Sequence, residues 1–307
     1  MSTELTKPPR LKPGATIGVA ALSGPVDADR LERGISRLRQ KGYRVVEASN
    51  LRKRSGFLAG SDEERASGYR ELLRDPVVDA IFFARGGYGS SRTISRLDPT
   101  EAVRHPKIHL GASDLTALFA FLYRHARLAT FYGPMVAVEM GEGEDLDWES
   151  ILSGAVPEMH RFADRDVVAP GTGEGPLIGG CLSLLASLCG TPEALAAAGA
   201  ILFWEDIGEE AYRIDRLLTQ LERSGTLENL QGMVIGSVLP GGREQTPEQV
   251  RQSLRDRLGG ASFPVALNFP AGHLPGPRTL PLGTRVRLDL RDGGEISFLE
   301  AGVSVSR

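Results

Sequence analysis

His109-Leu110-Gly111-Ala112-Ser113-Asp114-Leu115-Thr116 decides how this chain is read. Upstream, Pro106 to Leu110 has the apolar character of a short strand. Downstream, Leu115, Leu118, Phe119 and Leu122 fall at i, i+3, i+4 and i+7, the stripe of an amphipathic helix. Between them Gly111 permits a tight turn, so that Ser113 projects at the helix N-terminus, where unpaired backbone N–H groups stabilise negative charge. Two roles are open to this serine. It is a nucleophile, or Ser113 or Asp114 caps the helix.

The same alternation extends outward. Ile17 to Leu22 reads as a buried strand, Asp27 to Lys41 as an amphipathic helix, Tyr43 to Glu47 as a strand, Ser61 to Arg74 as a helix and Ala80 to Ala84 as a strand. Gly86-Gly87-Tyr88-Gly89 and a helix from Ser90 follow. A βαβα order implies a mainly parallel sheet with helices on both faces, and function at the carboxyl ends of its strands. From Val138 to Thr172 the pattern dissolves into Gly-rich stretches, which read as a linker with a mobile loop. Beyond it, Pro176 to Gly180 precedes an apolar helix, Ile201 to Trp204 reads as a strand, and Ile214, Leu217, Leu218 and Leu221 form a second helical stripe. Strands at Met233 to Leu239, Pro264 to Asn268 and after Leu280 complete a mixed α/β region. The expected division is 1–140 for the nucleophile domain, 141–175 for the linker and 176–307 for a smaller β/α domain.

With 307 residues the chain can bury a substantial core, and a formal charge of -3 gives no global attraction to nucleic acid or anionic lipid. A small or neutral partner is expected, with no nucleic acid and no membrane. The short apolar run Gly14 to Leu22 reads as a first buried strand, and Ser23-Gly24-Pro25 as the turn after it and not as the cleavage site of a secretion signal, so a cytoplasmic location is expected. Cys181 and Cys189, eight residues apart on one expected helix, would stand about 12 Å apart along its axis, too far for a disulfide. The five histidines show no metal-ligand spacing with cysteines or carboxylates, so no metal and no cofactor is expected.

A serine nucleophile needs a base, and the base an orienting group. His105 and His109 lie too close on the strand side, His125 is about 18 Å along the following helix, and His160 falls in the linker. His273 remains, on a Gly/Pro loop in Gly272-His273-Leu274-Pro275-Gly276, although it also reads as a surface-loop histidine. Glu205 directly follows four apolar residues at the end of a strand and needs a partner if buried; alternatively Glu205 or Asp206 caps or begins the next helix. The backbone N–H of Asp114 and the loop Arg85-Gly86-Gly87-Tyr88-Gly89 offer oxyanion donors, the latter lacking the spacing of a P-loop or a dinucleotide fingerprint.

Together these segments resemble the LD-carboxypeptidase, or muramoyltetrapeptide carboxypeptidase, family of serine peptidases. The motifs occur in order: Ala84-Arg85-Gly86-Gly87-Tyr88-Gly89; Gly111-Ala112-Ser113-Asp114-Leu115-Thr116; Gly179-Gly180 with Gly190-Thr191-Pro192; Glu205-Asp206 with Tyr212-Arg213-Ile214-Asp215-Arg216; and Gly272-His273 with Thr279 to Gly283. The resemblance implies a flavodoxin-like N-terminal domain joined to a swivelling C-terminal β/α domain, usually as a homodimer. It implies a triad of Ser113, His273 and Glu205, with Asp114, Gly86 and Gly87 at the oxyanion and Arg85 and Tyr88 binding substrate. The implied reaction releases terminal D-alanine from a murein tetrapeptide. A sister activity, the microcin-C immunity peptidases, cleaves an aminoacyl-nucleotide amide and would want an aromatic platform, for which Trp148 is the candidate. A non-catalytic two-domain peptide sensor is the reading from a different class.

Overall fold

Short apolar runs in the N-terminal half become the central strands of a sheet because both of their faces are covered, while the edge strand Arg44–Glu47 is only partly buried. A computed structural model describes residues 4–144, 146–241, 246–291 and 293–304. In its first sheet the strand order is Leu280–Leu282, Thr130–Tyr132, Ile108–Gly111, Ala80–Phe83, Thr16–Ala20, Arg44–Glu47. Five of these strands are mutually parallel, while Leu280–Leu282 runs antiparallel beside Thr130–Tyr132. Ala80–Phe83 and Ile108–Gly111 are buried throughout, as expected of parallel strands covered on both faces.

The helices follow their sequence signals. Ala28–Gln40 starts where the Asp27 side chain accepts from the Arg30 N–H, and buries Leu31, Ile35 and Leu38. Asp62–Arg74 opens with a reciprocal capping box between Ser61 and Glu64. Thr116–Ala126 buries nearly its whole length, including Leu118, Phe119 and Leu122.

The second sheet is mixed, in the order His160–Arg161, Glu295–Phe298, Arg285–Asp289, Thr172–Cys181, Ile201–Glu209, Gly232–Pro240, Val265–Ala266, Val167–Ala169. Its centre is parallel and its flanks antiparallel. The expected combination of a parallel α/β sheet with a second β/α unit is therefore present, but the C-terminal half carries the wider sheet, eight strands against six. The stretch expected to be linker and mobile loop is structured: it holds the helix Trp148–Ser153 and the strands His160–Arg161 and Val167–Ala169. These two strands, of two and three residues, are too short to register as a period of two in the sequence.

Two of the contacts that join the halves lie close to Ser113 in the fold. Leu280 pairs with Tyr132, which brings a strand of the C-terminal half into the first sheet. Thr116 Oγ1 accepts from the Cys181 N–H at 2.9 Å, and the adjoining Gly180 is bare because a Cβ there would lie 2.3 Å from that same oxygen. Cys181 and Cys189 do not share a helix as expected; the helix between them spans only Leu182–Ser187, and both thiols are free.

Candidate active site

Ser113 lies beyond the carboxyl end of the strand Ile108–Gly111, in a single 3-10 turn, Ser113–Leu115, that leads into the helix Thr116–Ala126. The expected turn at Gly111 does not occur there. Gly111 stays in the strand, Ala112 is extended with φ −148°, and Ser113 itself takes a left-handed φ of 61°. Such a conformation costs a serine about 1 kcal/mol or more and persists only when its surroundings hold it. Here the Ser113 N–H donates to Tyr132 Oη at 2.9 Å and the Ser113 carbonyl accepts from Thr116 Oγ1 at 2.7 Å.

The helix-cap reading fails. Neither Ser113 nor Asp114 caps through its side chain; the position before the helix is Leu115, with no side-chain cap. The buried Asp114 carboxylate instead turns toward neighbouring loops, accepting from Ser23 Oγ at 2.5 Å and the Ser90 N–H at 2.8 Å. Burial raises its pKa above the usual carboxylate value.

The glycine loop packs against this serine. A Cβ on Gly86 would lie 2.9 Å from Ser113 Cβ and 3.1 Å from its Oγ. The Gly86 carbonyl accepts from the Gly24 N–H, and Gly87 and Gly89 hold φ of +113° and +133°. Beneath the loop, the fully buried Arg65 donates to the carbonyls of Leu22 and Gly89 and to Thr93 Oγ1. Tyr88, expected at the substrate, is half-exposed, with its ring 5.8 Å from that of Phe57.

Glu205 was expected to end a strand, but Ile201–Glu209 continues four residues past it. Its carboxylate is fully buried and fully engaged: Oε1 accepts from Tyr132 Oη at 2.6 Å, and Oε2 accepts from His273 Nδ1 at 2.7 Å and the His273 N–H at 3.2 Å. Asp206 does not begin the next helix, which starts at Ala211, but serves the first turn of the earlier helix Leu182–Ser187. It accepts from the Ser183 N–H at 2.7 Å and from the Ile207 N–H at 2.8 Å, and burial pushes it up to about 6. Gly272, with φ +104°, lets His273 approach so closely, since a Cβ there would meet Glu205 Oε2 at 2.6 Å.

Burial acts to lower the His273 pKa, but the Glu205 hydrogen bond and charge, helped by Glu139 and Asp206, outweigh it and raise the net value. With Nδ1–H donated to the carboxylate, the other ring nitrogen, Nε2, is left to act as a base.

Ser113, His273, Gly86, Gly87, Arg85 and Arg30 line one cleft of about 420 Å³. The other histidines serve elsewhere. His109 is buried between Tyr69 Oη, at 2.8 Å, and the Lys107 carbonyl, and burial lowers it to about 4. Trp148, the candidate platform for a base, is buried with its ring edge-on to Phe82 at 5.2 Å, so it cannot stack on a nucleotide. Among the described residues no group of three or more His, Cys, Asp and Glu side chains could hold a metal ion, and no helix is long and apolar enough to cross a membrane. Tyr132 is the site residue that sequence reasoning missed. A tyrosine closing an apolar run beside the serine's strand is the signal that could have found it.

The chain is similar to known proteins along nearly its whole length. The family models of the LD-carboxypeptidase N-terminal and C-terminal domains match residues 17–133 and 174–288. The chain is 33% identical to the "Probable murein peptide carboxypeptidase" of Bacillus subtilis, over 97% of this chain and 95% of that protein. It is 30% identical to the Microcin C7 self-immunity protein MccF of Escherichia coli, over 96% of each. A structure of MccF in complex with glutamyl sulfamoyl guanosine superposes with a TM-score of 0.86 at 27% identity, covering 97% of this chain and 99% of that one. The muramoyltetrapeptide carboxypeptidase of Oxalobacter formigenes gives a TM-score of 0.81 at 31% identity, covering 92% and 98%. Matched across both halves, the chain belongs to the LD-carboxypeptidase family of serine-type hydrolases.

Proposed function

We propose that this protein is a serine LD-carboxypeptidase that releases terminal D-alanine from murein tetrapeptides, with Ser113, His273 and Glu205 as its triad. The observation that carries this reading is that Ser113, in a left-handed turn, and His273, bound through Nδ1 to buried Glu205 at 2.7 Å, line the same cleft.

In this reading Ser113 Oγ attacks the carbonyl carbon of the diamino acid as its proton passes to His273 Nε2. The C–N bond then breaks, and the imidazolium gives that proton to the departing D-alanine amine. Water attacks the resulting ester by the same route in reverse, freeing the tripeptide and restoring Ser113. Glu205 holds the imidazole and stabilises its charged form. The N–H groups of Asp114 and of Gly86 or Gly87 stabilise the oxyanion, each worth on the order of 3 kcal/mol.

Arg85 lines the cleft and makes no ion pair among the described residues, donating only to the Pro25 carbonyl at 3.1 Å. It is the proposed anchor for the terminal carboxylate that defines a carboxypeptidase substrate. The place of this reaction in cell-wall recycling, the cytoplasmic location and the homodimer belong to the same proposal and rest on the family likeness.

The likeness to MccF favours a second reading, hydrolysis of an aminoacyl-nucleotide amide. Burial of Trp148 removes the platform expected for it. The test is release of free D-alanine from defined tetrapeptides beside cleavage of an aminoacyl sulfamoyl adenosine. D-alanine release that disappears in Ser113→Ala is the expected result; turnover by a folded Ser113→Ala protein sinks the assignment. A non-catalytic sensor would leave Ser113 unlabelled by a fluorophosphonate.

A further inference from the structure

Tyr132 takes no part in the reaction as written, yet it touches both ends of the proposed triad. It closes the strand Thr130–Tyr132 of the first sheet and is 1% exposed. Its hydroxyl accepts the Ser113 N–H at 2.9 Å and donates to Glu205 Oε1 at 2.6 Å. Ser113 follows a strand of the first sheet, whereas Glu205 lies within a strand of the second. The Tyr132 ring also packs edge-on against Phe203, two residues before Glu205, at 5.5 Å.

We propose that Tyr132 is a positioning residue that sets the nucleophile and the His273–Glu205 pair in register across the junction of the two sheets. The proposal rests on the serine-peptidase reading above. Three consequences follow from the geometry. The left-handed backbone of Ser113 is held through its own N–H. Glu205 Oε1 is taken, so Oε2 alone meets His273, which fixes the direction of the imidazole. And because the Ser113 amide is committed to Tyr132, it is not an oxyanion donor; that task falls to Asp114 and the glycine loop, unlike sites in which the nucleophile's own N–H serves.

Tyr132→Phe keeps the ring and removes both bonds. The expected result is a kcat lower by about tenfold to a hundredfold with KM changed by less than about twofold, the signature of lost alignment and not of lost binding. Fluorophosphonate labelling of Ser113 should slow in parallel. The acid limb of kcat/KM should move to higher pH, because a Glu205 carboxylate with one donor fewer attracts the imidazolium more strongly.

Wild-type kcat and pH profile in folded Tyr132→Phe overturn the proposal. So does a loss confined to thermal stability, with labelling rate and pH profile per folded molecule unchanged. If the variant does not fold, biosynthetic replacement of tyrosine by 3-fluorotyrosine keeps the contacts but makes the phenol a stronger donor. The acid limb should then move to lower pH, and an unmoved limb overturns the proposal. Turnover by Ser113→Ala defeats the serine reading itself, whereas an inactive Ser113→Ala beside a wild-type Tyr132→Phe defeats only the role given to Tyr132.

Discussion

Gly86 stands directly against Ser113: a Cβ on the glycine would lie 2.9 Å from the serine Cβ and 3.1 Å from its Oγ. The serine cannot easily give way, because its N–H is held by Tyr132 and its carbonyl by Thr116. A methyl group at position 86 therefore displaces the hydroxyl or fills the space its substrate needs. Gly86→Ala should lower kcat/KM by about a hundredfold, the usual consequence of misplacing a reacting group by an ångström. The cost in stability should be no more than about 1–3 kcal/mol, as for other overpacked sites. Steady-state kinetics beside urea denaturation separates the two, and wild-type turnover in Gly86→Ala would remove Gly86 from the reacting centre.

The His273–Glu205 pair predicts the sign of the pH dependence. A general base must be neutral, and the His273 pKa is raised above its ordinary 6.5, so the acid limb of kcat/KM should lie above pH 6.5. Glu205→Gln removes the principal raising influences and leaves burial, so the limb should move down even as kcat falls. Stability follows by linkage. A group whose folded pKa is raised contributes fully below its unfolded pKa and loses that contribution as pH rises through the folded value. The destabilisation caused by Glu205→Gln should thus be larger at about pH 5 than at about pH 9. A limb that does not respond to Glu205→Gln would show that His273 is not the titrating base.

What the chain disclosed in advance was local in origin. Apolar runs alternating with 3.6-residue stripes announced the parallel sheet, and Ser113, Glu205 and His273 stood out as polar residues misplaced among strand ends and apolar neighbours. Hidden were features created by contacts distant in sequence. Tyr132 looks like any core aromatic until its hydroxyl is seen between Ser113 and Glu205, 19 and 73 residues away. The left-handed Ser113 was invisible because Gly111 nearby offered a more ordinary place to turn, and only tertiary bonds hold the strain. Leu280–Leu282 joins the first sheet through a pairing with Tyr132 that no local pattern encodes. Trp148 read as a surface platform because its loop composition concealed the short helix that buries it.

Arg65 supports the site from below. Its fully buried guanidinium donates to the Leu22 and Gly89 carbonyls and to Thr93 Oγ1, and pairs with Asp62. Ser23 and Ser90, next to two of those acceptors, hold the Asp114 carboxylate. Arg65→Leu strips several buried acceptors of their donor and leaves Asp62 without its inward partner, which should destabilise the protein by about 3 kcal/mol. Arg65→Lys should not preserve stability, because a single ammonium cannot reproduce the planar fork. Chemical denaturation of wild type and both variants tests this, and an Arg65→Lys variant as stable as wild type would contradict it.

Arg85 gives the sharpest division between binding and chemistry. It lines the cleft with Ser113 and His273, has no ion-pair partner among the described residues, and bonds the Pro25 carbonyl at 3.1 Å through Nη1. An arginine held in place by its own backbone neighbour, with charge uncommitted, suits the terminal carboxylate of a peptide. A hydrogen bond to a charged group is worth about 1.5–3 kcal/mol, so Arg85→Gln should raise KM for a D-alanine-terminated peptide by roughly tenfold to a hundredfold. Because that contact persists from bound substrate to transition state, kcat should change little. The same peptide with an amidated C-terminus should be poor for wild type and no poorer for Arg85→Gln. An amidated substrate that still loses tenfold in Arg85→Gln would show that the arginine acts on the reacting centre and not on the carboxylate.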